Sequence, residues 1–226
     1  MWGYLIWHEE PCRLRLWEQT IGGVRFLTAE ICRPENFWQR RRLHRMMKKI
    51  FRAGVRQIVR GGSVPEGLPE RFGLSAVDVS PLRQALLPKL LDWAEKAWGL
   101  SLRSCCVRLH ASRTDRAVWR CAAVLARRAR YLELDTGEGS EALADDLRRR
   151  YGLSCGGRPV LEICLAQGWT GDVPALLLGR DCGRMQKMRW YMPGHGEMPE
   201  ELLAALYREG RLEEGTPELG AVESRA

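Results

Sequence analysis

The chain lacks the long apolar run that a membrane-spanning helix requires. None of its 226 residues lies in an apolar stretch of about 18 residues, the length needed to cross a bilayer. The first residues, MWGYLIWHEEP, contain neither a basic leader nor a long apolar segment, so a signal peptide is not predicted. We therefore expect a cytoplasmic, bacterial protein that does not associate with a membrane.

The motifs of several large enzyme classes are also missing. The sequence contains no G-x-S-x-G nucleophile elbow, no G-x-x-x-x-G-K-S/T phosphate-binding loop and no H-E-x-x-H zinc-protease motif. The four histidines, His8, His44, His110 and His195, are scattered along the chain. No catalytic residue is assigned, and the leading hypothesis is a non-catalytic binding or accessory module.

No two of the eight cysteines form a C-x-x-C pair. Several lie in predicted strands or on the apolar side of a predicted helix, so reduced, buried thiols are expected in a cytosolic protein. A zinc site from Cys155, Cys164, Cys182 and His195 has suitable residue types, but its spacing matches no common zinc finger. No metal ligand is therefore assigned, and no cofactor is named.

Positive charge is concentrated in one block of the sequence. The chain has a formal net charge of +8. Between Arg33 and Arg60 there are eight arginines and two lysines against the single acid Glu35, a net charge of +9. The remainder of the chain therefore carries about −1 and is close to neutral.

A helix with one apolar side is predicted within this basic block. Pro34 and Asn36 mark its start, and Gly54 is a natural stop after its last residue. Apolar residues recur at the spacing of one helical face, at Leu43, Met46, Met47 and Ile50. The cations occupy most of the remaining surface: Arg40, Arg41, Arg42, Arg45, Lys48, Lys49 and Arg52. Such a helix packs its apolar side on a sheet and exposes the other side to solvent.

The exposed side of this helix is a candidate surface for nucleic acid or an acidic partner, with Arg41, Arg45, Lys48 and Lys49 as contact residues. No recognised DNA- or RNA-binding motif accompanies them, and few aromatic residues that could stack on bases lie between the cations. The expectation is weak, non-specific polyanion binding at low salt. The alternative is a solvated surface whose arginines extend into water.

Residues 1–33 are predicted to form an N-terminal β extension that packs on the main domain. The segments YLIWH, LRLW and VRFLTAEI have the composition of strands. Glu-Glu-Pro and Gly22-Gly23 separate them and indicate turns. An antiparallel hairpin or meander is expected from this pattern.

The segment from Cys105 to Asp135 is predicted to be a strand, a helix and a second strand. CCVRLHA is short and apolar, and YLELD alternates like a strand. Between them, Thr114 is placed as the helix N-cap with Asp115 in the first turn. Joints this short favour a βαβ unit with parallel strands and a right-handed crossover.

This βαβ unit resembles the first unit of a Rossmann-like dinucleotide-binding domain, and the likeness extends over roughly residues 24–179. The resemblance implies a doubly wound, mostly parallel α/β sheet, with Asp135 where a ribose-binding carboxylate would lie. The turn HASRTDRA lacks the glycines that let such a backbone approach a pyrophosphate. The resemblance is therefore one of fold and names no specific family. The alternative role of Asp135 is to cap the next turn.

Further elements complete the main domain, predicted over residues 34–212. VRQIV and LSAVDV are predicted strands, and Ser80 caps the helix PLRQALLPKLLDWAEKAW, which Pro88 should kink. Ser140 caps the helix EALADDLRRRY, which PVLEICL and ALLLG follow as strands. MQKMRWYMPG and PEELLAALYREGRL are predicted as a late strand and a final helix. The polar stretch 213–226 is predicted to be a disordered tail.

A ligand site is predicted at the carboxyl ends of the parallel strands, where α/β proteins bind ligands. Arg113 and the start of the helix after it are suited to a phosphate or carboxylate. His110 is either part of this site or a satisfied structural group. The expected ligand is a small phosphorylated or nucleotide molecule, and the alternative function is an enzyme with a degenerate nucleotide or phosphate-ligand site. The candidate ligand-binding residues are His110, Ser112, Arg113, Thr114, Asp135, Thr136, Gly137, Gly61 and Gly62.

Overall fold

The computed structural model describes residues 1–61, 64–65, 67–167, 173–179, 182, 188–213 and 216–221, without the side chains of Cys155 and Ala221. The chain divides into two compact units. The first unit contains Met1–Val79 and Trp190–Glu218, and the second contains Ser80–Arg189 and Leu219–Ala226. Within the described ranges, no helix is long and apolar enough to cross a membrane.

The N-terminal part of the first unit forms one mixed sheet. Its strands are β1 (Trp2–His8), β2 (Arg15–Ile21), β3 (Val24–Cys32), β4 (Gln57–Gly61) and β5 (Ser75–Ala76). They lie in the order β2-β3-β1-β4-β5. β2 and β3 form the antiparallel hairpin that the sequence predicts, and its turn residues Gly22 and Gly23 have positive φ angles.

β1 pairs in parallel with both β3 and β4, so the three N-terminal strands do not form a meander. Residues 1–33, predicted to be an extension, therefore share a sheet with β4 and β5. The apolar alternation of a strand identifies the strand but not its neighbour, because both pairings bury the same side chains.

The helix of the basic block is α1 (Phe37–Arg52), and it begins and ends as predicted. The Asn36 side chain accepts a hydrogen bond of 2.9 Å from the backbone N–H of Gln39, which caps the first turn. Gly54, with φ of +84°, follows the C-terminal end. The apolar side of α1 packs into the core of the first unit, which includes Leu43, Met47, Ile50, Leu5, Ile31 and Ile58.

The second unit contains four helices and a parallel sheet among its described residues. The elements are α2 (Ser80–Ala85), α3 (Leu87–Trp98), β6 (Cys106–His110), α4 (Arg116–Ala126), β7 (Tyr131–Asp135), α5 (Ser140–Tyr151), β8 (Ser154–Cys155), β9 (Pro159–Cys164) and β10 (Ala175–Leu177). The strand order is β10-β9-β6-β7-β8, and each of the four pairs of neighbouring strands is parallel. The predicted βαβ unit is present as β6-α4-β7.

Three helix starts in the second unit differ from the prediction. The N-cap of α4 is Asp115 and not Thr114, because the Asp115 carboxylate accepts the N–H groups of Ala117 and Val118 at 2.9 and 3.0 Å. The N-cap of α5 is Gly139, with φ of +87°, and Ser140 is its first helical residue. The third helix start is that of α2, which begins at Ser80 itself. The kink predicted at Pro88 is present as a break between α2 and α3, because proline cannot donate a backbone hydrogen bond to the preceding turn.

The chain ends with β11 (Met188–Met192), β12 (Gly196–Met198), α6 (Glu200–Arg208) and β13 (Glu218–Ala221). β11 and β12 are antiparallel, with Trp190 opposite Met198. Within the first unit, α6 is held by a hydrogen bond of 2.8 Å from Trp2 Nε1 to Glu209 Oε1. β13 lies inside the stretch predicted to be disordered, of which residues 214, 215 and 222–226 are outside the described residues.

The α/β class is confirmed, with a five-stranded mixed sheet, a five-stranded parallel sheet and a three-stranded sheet in the order β12-β11-β13. The strands predicted for a single, mostly parallel sheet belong to two different sheets. β4 and β5 pair in the mixed sheet of the first unit, and β6 to β10 form the parallel sheet of the second unit. The sequence predicts each strand from local pattern, and partner choice depends on contacts between residues far apart in the chain.

Candidate functional site

Most of the predicted strand-end residues lie together in the second unit, on the loops that follow β6 and β7. The backbone N–H of Thr114 donates to the carbonyl of Glu138 at 3.2 Å, and the Thr114 hydroxyl donates to that of Thr136 at 3.0 Å. Gly137, with φ of +60°, approaches so closely that a Cβ there would lie 2.6 Å from the carbonyl oxygen of Ser112. The two loops are therefore held against each other by their own backbones.

The start of α4 is already occupied by a carboxylate. Asp115 accepts the N–H groups that a phosphate would use at this helix terminus. Arg113 is exposed beside it. An anion placed here would compete with the Asp115 carboxylate and be repelled by its charge, so this terminus differs from the open phosphate site that the sequence suggested.

The two remaining predicted ligand residues belong to another part of the chain. Gly61 is the last residue of β4, in the sheet of the first unit, and a Cβ there would lie 2.8 Å from the ring of Tyr4. This close packing explains the glycine without a ligand. Gly62 lies outside the described residues.

His110, at the end of β6, uses both of its ring nitrogens. Nδ1 lies 2.7 Å from Oδ2 of Asp135, and Nε2 lies 3.0 Å from the carbonyl oxygen of Gln167. Both neighbours are hydrogen-bond acceptors, so only the doubly protonated ring can donate to both. Burial lowers the pKa of His110, but the Gln167 carbonyl and the Asp135 carboxylate outweigh it, and the net pKa is raised above 6.5. No ring nitrogen is left to act as a base in this arrangement.

One side of the parallel sheet is charged beside this histidine. Arg108 on β6 lies in register with Glu133 on β7 and Glu162 on β9. Its Nε is 3.2 Å from Glu133 Oε1, and its Nη1 is 3.8 Å from Glu162 Oε2. Glu162 is only 1% exposed, and its Oε2 has no hydrogen-bond partner in the described part of the chain. This row was not predicted, although Arg108, Glu133 and Glu162 are each the central residue of a predicted strand, CCVRLHA, YLELD and PVLEICL.

The seven cysteines whose side chains the structure describes are free thiols. Burial, more than any nearby charge, raises the pKa of Cys121 and of Cys164 to about 12, so neither is a reactive thiolate at neutral pH. Burial and the neighbouring Cys32 likewise raise the pKa of Cys12 to about 11. Among the described residues, no group of three or more His, Cys, Asp and Glu side chains is arranged to hold a metal ion.

A second candidate site is the outer side of α1, here called the basic surface. It consists of seven exposed cations, Arg40, Arg41, Arg42, Arg45, Lys48, Lys49 and Arg52. They include the four predicted contact residues. No ion pair within the described residues involves any of the seven, and the first turn of the helix contains no acid. In the described part of the chain, no neighbouring carboxylate therefore neutralises the positive charge of this surface.

Two exposed aromatic rings extend the basic surface at the start of α1. Phe37 is 67% exposed and Trp38 is 69% exposed. Their ring centroids are 5.8 Å apart with an interplanar angle of 75°, an edge-to-face contact. Few aromatic residues lie between the cations in the sequence, and this pair was not predicted as part of the site. The signal was present, because neither residue falls on the helical face of Leu43, Met47 and Ile50.

Comparison with known proteins adds a weak structural similarity. No protein-family model matches the chain, and no curated protein matches its sequence. Among solved structures, the L-tryptophan dehydrogenase from Nostoc punctiforme is similar with a TM-score of 0.30 and 9% sequence identity. The match covers 62% of this chain and 44% of the dehydrogenase, so the chain spans less than half of that protein. A similarity of this size assigns no activity.

Proposed function

We propose that this chain is a non-catalytic binding protein that contacts a polyanion, of which nucleic acid is the leading candidate, through the basic surface of α1. The observation that carries the proposal is the basic surface itself, in which seven exposed cations of one helix have no carboxylate partner among the described residues. Repeated phosphates are the ligand that such a row complements, because each contact releases a condensed counterion.

The scaffold beneath α1 supports a rigid binding surface. Leu43, Met47 and Ile50 are 6% exposed or less and pack into the core of the first unit. The helix therefore presents its cations in a fixed arrangement, and a polyanion would bind without first ordering the helix. The same packing argues against a solvated, mobile segment.

The charges of α1 are unfavourable for the helix itself. Arg41 and Arg45, and Lys48 and Arg52, are four residues apart, and like charges at this spacing destabilise a helix by about 0.2–0.5 kcal/mol per pair. Arg40 in the first turn also faces the positive end of the helix dipole. The helix dipole favours only Lys49 and Arg52, which lie in the last turn. Helix stability thus gives no reason for the other five cations, whereas a bound polyanion would relieve the repulsion.

The proposal is tested by two matched double variants. Arg41→Ala/Arg45→Ala removes two exposed cations four residues apart on α1, and Arg116→Ala/Arg120→Ala removes two exposed cations with the same spacing on α4. We expect the α1 variant to lose most of its affinity for heparin and oligonucleotides in fluorescence anisotropy, and the α4 control to keep it. No binding by the wild-type protein at tens of micromolar and low salt would refute the proposal, because non-specific sites bind at roughly 10⁻⁴ to 10⁻⁶ M.

A small-ligand site at the strand ends of the second unit is the second candidate function. The observation in its favour is Glu162 Oε2, a buried acceptor without a hydrogen-bond partner beside the row of charged residues. A Rossmann-like, doubly wound arrangement of this unit would suit such a site, and it is supported by the parallel β6-α4-β7 unit. Thermal-shift measurements with NAD, NADP, ATP and S-adenosylmethionine test it, since a bound ligand raises the melting temperature.

A further inference from the structure

We infer that the basic surface of α1 binds single-stranded nucleic acid in preference to duplex, with Trp38 and its neighbour Phe37 stacking on unpaired bases. The inference rests on the proposed function, because the same helix supplies the phosphate contacts. It goes further by naming the form of nucleic acid that the surface selects.

The aromatic pair is unusual in this protein for its exposure. Phe37 and Trp38 are two of the three large apolar side chains that are exposed among the described residues, the third being Met1. The edge-to-face contact between them leaves ring faces uncovered. An uncovered indole or phenyl face is the platform on which single-stranded nucleic-acid-binding proteins stack bases.

The rings and the cations lie on one line along the helix. Trp38, Arg41, Arg45, Lys48 and Arg52 are separated by three, four, three and four residues, so they follow the same side of α1. This line is about 21 Å long at 1.5 Å per residue. A strand that stacks a base on the rings at one end therefore has its following phosphates beside the cations.

Base stacking separates single strands from duplexes. In a duplex the bases already stack on each other, and their flat faces are not available to a side chain on the outside. Phosphates are present in both forms. The cations of α1 therefore contribute to binding both, whereas Trp38 contributes only to the single strand.

An anionic membrane is the main competing occupant of a basic helix with exposed aromatic residues. Helices that bind membranes insert their apolar side among the lipids. In α1 that side is packed in the core through Leu43, Met47 and Ile50, and only the two rings at the helix start remain exposed. The charge and the rings thus fit a stacked, phosphate-bearing chain better than a lipid surface.

The experiment compares three polyanions on four proteins. The ligands are a short single-stranded oligonucleotide, the duplex of the same sequence, and heparin, which has charge but no bases. The proteins are the wild type, Trp38→Ala, Trp38→Phe and the control Trp119→Ala, which removes a tryptophan between Arg116 and Arg120 on α4. Binding is measured by anisotropy, and circular dichroism checks that each variant is folded.

We expect Trp38→Ala to weaken binding of the single strand about 5- to 150-fold, the effect of losing one aromatic stacking partner. Binding of the duplex and of heparin should not change. Trp38→Phe should restore part of the lost affinity because it keeps a flat ring, and Trp119→Ala should behave as the wild type does.

The outcomes distinguish base stacking by Trp38 from the proposed function, which is polyanion binding by the basic surface. If the wild type binds heparin and oligonucleotides but Trp38→Ala binds the single strand equally well, the stacking inference is overturned and polyanion binding stands. If the wild type binds none of the three, both fail. Vesicles of phosphatidylserine, assayed by co-sedimentation with the wild type and Trp38→Ala, test the competing occupant. If Trp38→Ala abolishes vesicle binding and leaves oligonucleotide binding unchanged, the rings contact lipid and the inference is overturned.

Discussion

Salt should weaken oligonucleotide binding by an amount set by the number of cations that contact phosphates. The outer line of α1 contains four of them, Arg41, Arg45, Lys48 and Arg52. Each phosphate contact with a single strand contributes about −0.7 to the slope of log K against log salt concentration. Four contacts therefore predict a slope of about −2.8 for the wild-type protein.

This slope has a measurable consequence. Raising the salt concentration from about 50 to about 200 mM, a fourfold change, should lower the affinity of the wild type roughly 50-fold. Arg41→Ala/Arg45→Ala leaves two contacts, so its slope should be about −1.4 and its loss over the same range about sevenfold. The variant should therefore be weaker than the wild type at low salt and closer to it at high salt.

Fluorescence anisotropy across a salt series measures both slopes. The control Arg116→Ala/Arg120→Ala loses the same net charge at the same helical spacing, so it removes any contribution of overall charge from the comparison. It should keep the slope of the wild type. Equal slopes for the two double variants would mean that the phosphates do not lie along α1, and the proposed function would have to be abandoned.

Two further predictions concern stability. Glu201→Ala should lower the free energy of unfolding by about 3 kcal/mol, because it removes one partner of the largely buried ion pair with Arg60, whose side chains are 10% and 19% exposed. Asp145→Ala, in an ion pair whose side chains are 62% and 60% exposed, should change it by less than about 1 kcal/mol, and equal effects in denaturant titrations would contradict the reasoning. Because the pKa of His110 is raised above 6.5, its protonated ring stabilises the folded state fully below pH 6.5, and this contribution is lost as pH rises through the folded pKa. The difference in melting temperature between the wild type and His110→Gln should therefore shrink with rising pH, and a difference that grows would contradict the prediction.

Local elements were predictable where capping and periodicity agree. For α1, Asn36, the apolar spacing around Met47 and the terminal Gly54 all indicate the same helix, and the structure contains it with those limits. The β6-α4-β7 unit followed in the same way from two short strands and an alanine-rich helix. Each of these signals acts within one or two turns of chain, so the sequence alone contains them.

Choices that depend on distant residues were not predictable. Thr114 and Asp115 are both good N-cap residues, and the structure selects Asp115 while the Thr114 hydroxyl donates to Thr136, more than 20 residues away. The parallel pairing of β1 with β4 likewise joins strands that lie far apart in the sequence. In both cases the local sequence is compatible with two arrangements, two N-cap residues or two strand partners, and a contact with a distant residue selects one of them.

The exposure of Trp38 was missed for a different reason. Tryptophan is usually buried, so a count of apolar residues assigns it to the core by default. Its angular position on α1 relative to Met47 and Ile50 indicates the opposite, and that position can be read from sequence alone once the helix limits are known. The sequence thus predicted the cations of the basic surface, and the positions of Phe37 and Trp38 on the helix also indicate that these two rings are exposed.

Ion pairing, more than net charge, identifies the surface on which an anionic partner should bind. In the second unit, Arg108 pairs with Glu133, Arg148 with Asp145 and Arg150 with Asp146, so these cations are neutralised where they lie. On α1 no described carboxylate performs this role for any of the seven cations. Dissolved salt largely screens charges that are more than about 8–10 Å apart. The closely spaced, unpaired cations of the basic surface therefore still attract an anion at contact distance. The seven cations of α1 are therefore the densest positive charge in a chain of net charge +8, and a polyanion should recognise that helix and leave the paired arginines of the second unit uncontacted.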